Sequence, residues 1–182
     1  MSSICVDCGM CCDGTLFAQA PLRPEDHAPP AGVHSAVDEP SYFRQPCAAL
    51  DHRACTIYHD RPTVCRNYRC ELLKAVESGS TTVEDARTII ATTIELRDRV
   101  RPAIEAVVRS DIPLALPTLY PMLESRFAMD DEPTDRAARV NLLLDVAGLR
   151  MLLHTHFDGH ATSGDASTLG RSSVVAATGS AG

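Results

Sequence analysis

All eight cysteines of this 182-residue chain fall within its first seventy residues. The first four, Cys5, Cys8, Cys11 and Cys12, form a C-x2-C-x2-C-C run. Two residues between cysteines let a tight turn bring both sulfurs to one ion while backbone N–H groups point at the thiolates. Gly9 lies inside the second of these turns, where a positive φ is often needed. Asp13-Gly14 supplies a further turn. The same triple spacing opens bacterial ferredoxin cluster motifs, although the C-x3-C-P element that completes them is absent. Neighbouring side chains diverge, so Cys12 is expected to serve a different ion from Cys11, or the opposite side of a shared cluster.

The second four are Cys47, Cys55, Cys65 and Cys70. Five positions along a helix rotate a side chain by roughly 140°. Either the helix starts late, or Cys65 and Cys70 serve different metals. Eight thiolates exceed the four that one zinc or one ordinary iron–sulfur cluster takes. Two centres, or one multinuclear centre, follow more naturally than one. All eight cysteines are therefore candidate ligands to zinc or iron, an iron–sulfur cluster included. Thiolates around such a centre leave it negative. Arg61 and Arg66 are expected beside the ligands, donating to sulfur and offsetting that charge; Arg69 lies nearby. The competing reading pairs these arginines with Asp51, Asp60 or Glu71 on the surface.

Other residue sets point less clearly to chemistry. His52 and His59 sit among the cysteines, but eight soft donors leave little need for them. His156 and His160 are four apart, yet Gly159 interrupts and no Glu lies between, so with His154 they read as a frayed helix end. Asp130-Asp131-Glu132 lacks calcium-loop spacing. Cys55 or Cys65 with His59 could be drawn as nucleophile and base, but the clustering of all eight cysteines explains them together. No catalytic residue is identified.

The elements that position the cysteines read as follows. Pro21, Pro24, Pro29, Pro30 and Pro40 punctuate an irregular connection, within a lobe of loops and turns over residues 1–70. Pro62 suits a first helical turn, and the stretch through Cys70, Leu72, Leu73 and Val76 runs to a stop at Gly79. Thr81-Thr82-Val83-Glu84 has the form of a capping box and opens a helix with Val83, Ala86, Ile89, Ile90, Ile94 and Val100 close to helical spacing, broken or kinked at Pro102. Pro113, Pro117 and Pro121 mark a connector and a short helix reaching Phe127. Thr134 begins a last helix carrying Val140, Leu143, Leu144, Ala147, Met151 and Leu152. The predicted fold is mainly α, with an irregular cysteine-rich lobe packed on three or four helices. One domain spans 1–158, its helical part beginning at 71, and the Gly-, Ser- and Ala-rich stretch 159–182 is expected to be a disordered tail.

The net charge of -7 argues against nucleic acid as a partner. Met1-Ser2-Ser3-Ile4-Cys5 shows no basic stretch leading into an apolar run, and no apolar segment is long enough to span a membrane. The expected location is the cytoplasm, where thiols stay reduced and metal thiolates are favoured over disulfides.

The opening Cys5-x2-Cys8-x2-Cys11-Cys12, Pro46-Cys47, and the run from Cys55 through Tyr58, Arg61-Pro62, Cys65-Arg66, Tyr68 and Cys70 resemble the YkgJ-type CxxCxxCC cysteine-cluster family. The resemblance covers residues 5–70 and implies zinc or iron chelation. A similar module occurs in flagellin lysine methylases, where an iron–sulfur cluster is implied. Methylation is not carried over, because the chain shows no G-x-G-x-x-G after a strand. Three roles compete: an iron–sulfur centre for redox or protein modification, a structural zinc module mediating protein–protein interaction, and metal buffering or delivery.

Overall fold

The computed structural model describes residues 4–26, 33–34, 41–129 and 135–158. In chain order the elements are α1 (Ile4–Cys8), β1 (Gln19–Pro21), β2 (Val33–His34), β3 (Tyr42–Arg44), β4 (Leu50–Asp51), β5 (Ala54–Cys55), α2 (Thr63–Asn67), α3 (Glu71–Glu77), α4 (Val83–Val108), α5 (Leu116–Ala128) and α6 (Arg136–Leu153). A π-helical turn, His154–Asp158, extends α6. The fold is mainly α.

The long helix α4 organises the molecule. Its buried positions Ala86, Ile90, Ile94, Val100, Ile104 and Val108 recur at intervals of four or six residues and form one stripe. Against that stripe pack Leu116, Leu119 and Leu123 of α5, and Val146, Leu149 and Leu153 of α6 with Phe157 beyond it. Thr93 is fully buried within the helix; its hydroxyl donates to the Ile89 carbonyl at 2.7 Å, which removes the cost of burying it. Ile4, Met10 and Leu16 from the cysteine-rich lobe, with Leu72 and Leu73 of α3, join the same core. The lobe is thus docked on the helices by its own apolar residues.

Several local features differ from the sequence reading. The stretch read as irregular carries a three-stranded antiparallel sheet, ordered β1-β3-β2, with Ala20 opposite Phe43. Phe43 and Ala20 are buried while Gln19 and Arg44 face out, the alternation a half-covered strand needs. The expected helix from Pro62 to Gly79 is two helices: Tyr68 is extended, with ψ 133°, and separates α2 from α3. Pro62 precedes the first helical residue. Helix α4 starts one residue later than the capping box suggested. Thr82 accepts from the Asp85 N–H at 3.0 Å and its hydroxyl donates to the Asp85 carboxylate at 2.6 Å. Pro102 lies inside α4, which runs through it without interruption. The last helix begins at Arg136, where Asp135 caps it by accepting from the Ala138 N–H at 2.9 Å. Asp130, Asp131, Glu132, Thr134, His160 and the 159–182 tail lie outside the described residues.

Candidate metal centre

Helix α1 places Cys5 and Cys8 one turn apart on the same side. Gly9, with φ 68°, reverses the chain; its N–H donates to the Cys5 carbonyl at 3.1 Å, and the Cys12 and Asp13 N–H groups return to the Gly9 carbonyl at 2.9 and 3.1 Å. A residue with a Cβ would be strained there. This knuckle delivers Cys11 and Cys12 within one tight loop.

The loop is pinned from outside. Asp13 accepts from the Thr15 N–H at 2.8 Å and pairs with Arg97 of α4. Arg101, one turn on, donates to the Asp13 carbonyl at 3.2 Å and to the Leu114 carbonyl at 2.9 Å. Gly14, with φ 79°, lies so close to Ala115 that an added Cβ would stand 3.0 Å from its Cα. The Leu116 N–H then bonds the Gly14 carbonyl at 2.7 Å.

The remaining four cysteines come from a loop and three further elements. Cys47 is held against the first loop, its N–H donating to the Cys12 carbonyl at 2.7 Å. Cys55 stands opposite Leu50 in the β4–β5 hairpin. Cys65 is on α2, which has no capping residue of its own. Asp26 supplies the cap from far upstream, accepting from the Thr63 N–H at 2.8 Å and its hydroxyl at 2.7 Å. Cys70 caps α3, its sulfur accepting from the Leu73 N–H at 3.4 Å.

All eight sulfur-bearing residues line a single cavity of about 180 Å³. Phe17, Phe43, Ile57, Tyr58, Tyr68 and Phe157 contribute to its apolar wall. None of the eight is in a disulfide. Burial in this wall pushes the thiols up: Cys8 and Cys12 to about 12, Cys65 to about 11, and Cys11 well above its ordinary value. Cys5, Cys47 and Cys70 are also raised, mainly by burial. Backbone N–H groups of Met10 at Cys8, Ala49 and Leu50 at Cys47, and Leu72 and Leu73 at Cys70 work the other way, favouring thiolate.

Whether these residues fit a metal follows from their chemistry. Eight soft donors around a water-poor cavity, with backbone N–H groups already aimed at sulfur, match zinc or iron. Gln45 adds an orphaned group: it is 6 % exposed, lines the cavity, and its side-chain oxygen has no partner among the described residues. As they stand, no three Cys, His, Asp or Glu side chains among the described residues are gathered closely enough to hold an ion. The donor set fits; the sulfurs must close in on what they bind.

The two arginines singled out from the sequence are placed differently. Arg61 lines the cavity, stacks over Tyr58 at 4.0 Å from the ring centroid, and favours the thiolate of both Cys5 and Cys65. Arg66 is exposed and donates to the Thr63 hydroxyl at 3.2 Å. Arg69 pairs with Glu77 at 3.4 Å and favours the Cys5 thiolate. His52 and His59 are exposed and do not line the cavity. Three cavity residues carried no sequence signal as site residues: Gln45, Arg53 and Phe17. Arg53 covers Gly9 and donates to the Asp7 carbonyl at 3.4 Å. Tyr68 meets Phe17 edge-on at 5.0 Å and lies near enough to Cys11 and Cys70 to feel their charge.

Residues 4–92 match the family model CxxCxxCC, described as a "putative zinc- or iron-chelating domain". The match reaches past Cys70 through α3 and into α4, further than the cysteines alone marked out. The physical reason is visible in the wall of the cavity, which includes Leu72 and Leu73 of α3 and Ile90 of α4. No curated protein and no solved structure matches the chain.

Proposed function

We propose that this protein holds zinc or iron on its eight cysteines, and that the finer reading is an iron–sulfur centre serving redox chemistry or the modification of a partner protein. One observation carries it: cysteines from α1, its following knuckle, the β4–β5 hairpin, α2 and the cap of α3 all face one cavity. A core built for packing alone has no need of eight thiols on one wall, since any small apolar residue would fill the same space. Iron is favoured over zinc by Cys70. Ferredoxin-type centres take three cysteines from a C-x2-C-x2-C run and a remote fourth. Here Cys5, Cys8 and Cys11 supply the run, and Cys70 comes within electrostatic reach of all three.

An iron–sulfur cluster, when bound, supplies one-electron chemistry at a potential its surroundings set. The chain's own residues do the rest. The aromatic wall excludes water, the N–H groups of Met10, Ala49, Leu50 and Leu73 hold charge at sulfur, and Arg61 offsets it. A reducing cytoplasm would keep the thiols available. The net charge of -7 favours a protein partner over nucleic acid. No helix among the described residues is long and apolar enough to cross a membrane.

A second reading, a structural zinc module for protein–protein interaction, is favoured by Cys12, Cys47, Cys55 and Cys65. Four thiolates would fill a tetrahedral zinc site and leave no position for a substrate. Anaerobic purification of the untagged chain, with metal content, acid-labile sulfide and the visible spectrum measured on one sample, separates the two. Iron with sulfide and a brown charge-transfer band supports the first reading. Stoichiometric zinc without sulfide replaces it with the second, and several weakly held ions per chain would mark a buffering or delivery role instead. A chain that takes up neither metal refutes all three.

A further inference from the structure

We infer that the eight cysteines divide into two four-thiolate centres of unequal lability, an inner one of Cys5, Cys8, Cys11 and Cys70 and an outer one of Cys12, Cys47, Cys55 and Cys65. This rests on the metal-binding reading above and goes beyond it by assigning every ligand. It also crosses the sequence order, since Cys12 leaves the first run and Cys70 replaces it.

Packing makes the first distinction. Cys8, Cys11 and Cys70 lie directly against the main hydrophobic core, beside Ile4, Leu72 and Leu73. None of Cys12, Cys47, Cys55 and Cys65 does; Cys5 is exposed and belongs with the first three through its position one turn before Cys8 on α1. The elements that carry them differ in the same way. Helix α1 packs on α4, and α3 packs on α4 and on the π turn after α6. The β4–β5 hairpin pairs chiefly within itself, and α2 makes no extensive contact with the long helices.

Backbone geometry makes the second. Cys12 and Cys47 are joined directly, by the bond from the Cys47 N–H to the Cys12 carbonyl at 2.7 Å. The Leu50 N–H bonds the Cys47 carbonyl at 3.0 Å, and Leu50 in turn faces Cys55 across the hairpin. Tyr68, extended between α2 and α3, turns the chain so that Cys65 and Cys70 lie on different elements. The two sets meet where Cys11 and Cys12 adjoin in the chain.

Lability follows from what must move. Releasing an ion from the inner set means opening α1 and α3 away from α4 and its core. Releasing one from the outer set means opening only a two-residue hairpin and a five-residue helix, the kind of segment that opens at low cost.

The test uses the full chain, reduced and metal-free, titrated with Co²⁺ under anaerobic conditions while thiolate-to-cobalt and d–d absorption are followed. The expected result is two equivalents of tetrahedral thiolate-bound cobalt. Cys12→Ser and Cys65→Ser each remove one equivalent, and Cys12→Ser/Cys65→Ser removes no more than either alone. Cys70→Ser removes the other equivalent, so that Cys12→Ser/Cys70→Ser removes both. A wild-type experiment avoids any loss of folding in the variants. Half the bound cobalt is withdrawn with EDTA, free thiols are alkylated with iodoacetamide, and the peptides are weighed. Label on Cys12, Cys47, Cys55 and Cys65 should exceed that on the other four by about tenfold, a modest difference in binding free energy. Label spread evenly over all eight, or falling on Cys5, Cys8, Cys11 and Cys12 as a block, overturns the partition. A wild-type chain that binds no cobalt overturns the metal-binding reading itself.

Discussion

The pairing of Asp13 with Arg97 is one of the contacts through which the helical half fixes the cysteine knuckle, and removing it should be costly. Arg97 is 11 % exposed and Asp13 21 % exposed at the side chain. Arg97 also donates through Nε to Asp98 at 2.8 Å, which keeps its guanidinium oriented. Arg97→Met retains most of the apolar stem but leaves the Asp13 carboxylate part-buried with no cation beside it. Breaking a buried pair from one side costs about 3–5 kcal/mol, and the residual exposure here moves the expectation to about 2–3 kcal/mol. For a chain of this size that corresponds to a fall in Tm of about 4–12 °C. Asp13→Asn keeps the acceptor for the Thr15 N–H and should cost less, about 1–2 kcal/mol. Because each substitution removes the same interaction, the double variant should fall short of the sum by about 1–2 kcal/mol. Thermal unfolding by circular dichroism of the metal-free chain, wild type and three variants in one buffer, reads all four corners of the cycle. Single variants within 2 °C of wild type, or a double variant that is simply additive, would show that the pair does not hold the loop.

Other consequences are as direct. Gly14→Ala should destabilise by more than about 2 kcal/mol, whereas Gly79→Ala, at similar φ but with open space around it, should cost only the left-handed penalty of about 1–2 kcal/mol; chemical denaturation of the two side by side tests the difference. The thiols ionise near 9.0 in the unfolded chain but are held up to about 11–12 when buried, so the folded state binds more protons between those values. Stability of the metal-free chain should therefore be full below pH 9 and decline progressively above it. Melts at pH 8 and pH 10.5 should show the loss, and a metal-loaded sample, its thiolates already formed, should show much less. Asp26→Ala removes the distant cap of α2, costing about 1 kcal/mol, and should speed metal release at Cys65 while leaving the α4–α6 core intact by hydrogen exchange. Exhaustive chelation should make residues 4–70 the first part cleaved by a low dose of protease; a digestion pattern indifferent to metal would refute the idea that metal organises the lobe.

Much of the helical half was legible because its signals are local. The Ile90, Ile94 and Val100 stripe, the threonine cap ahead of Val83 and the stop at Gly79 all act within one or two turns. The sheet was missed for the opposite reason. Its strands are two or three residues long, too short to show alternation, and they pair across a proline-rich stretch. The break at Tyr68 was hidden because residues 63–77 read as a continuous helical pattern, and the extended conformation serves the placement of Cys70 on the cavity wall. Within the site, the cysteines announce themselves by type. Gln45 and Arg53 do not, and neither does Arg97, whose partner Asp13 lies 84 positions away. Spacing could suggest that Cys65 and Cys70 diverge, but not which other sulfurs each one meets.

One feature of the chain order bears on how the centres fill. Cys12, Cys47, Cys55 and Cys65 are all bracketed between Cys11 and Cys70 in sequence. Once Cys70 joins Cys5, Cys8 and Cys11 around one ion, the stretch from 12 to 65 becomes a closed loop. The four thiols inside it then search a small volume rather than the span of a free chain, so their effective concentration toward a second ion rises. Filling should be sequential and positively cooperative, with the bracket closing first and raising the affinity for the second ion.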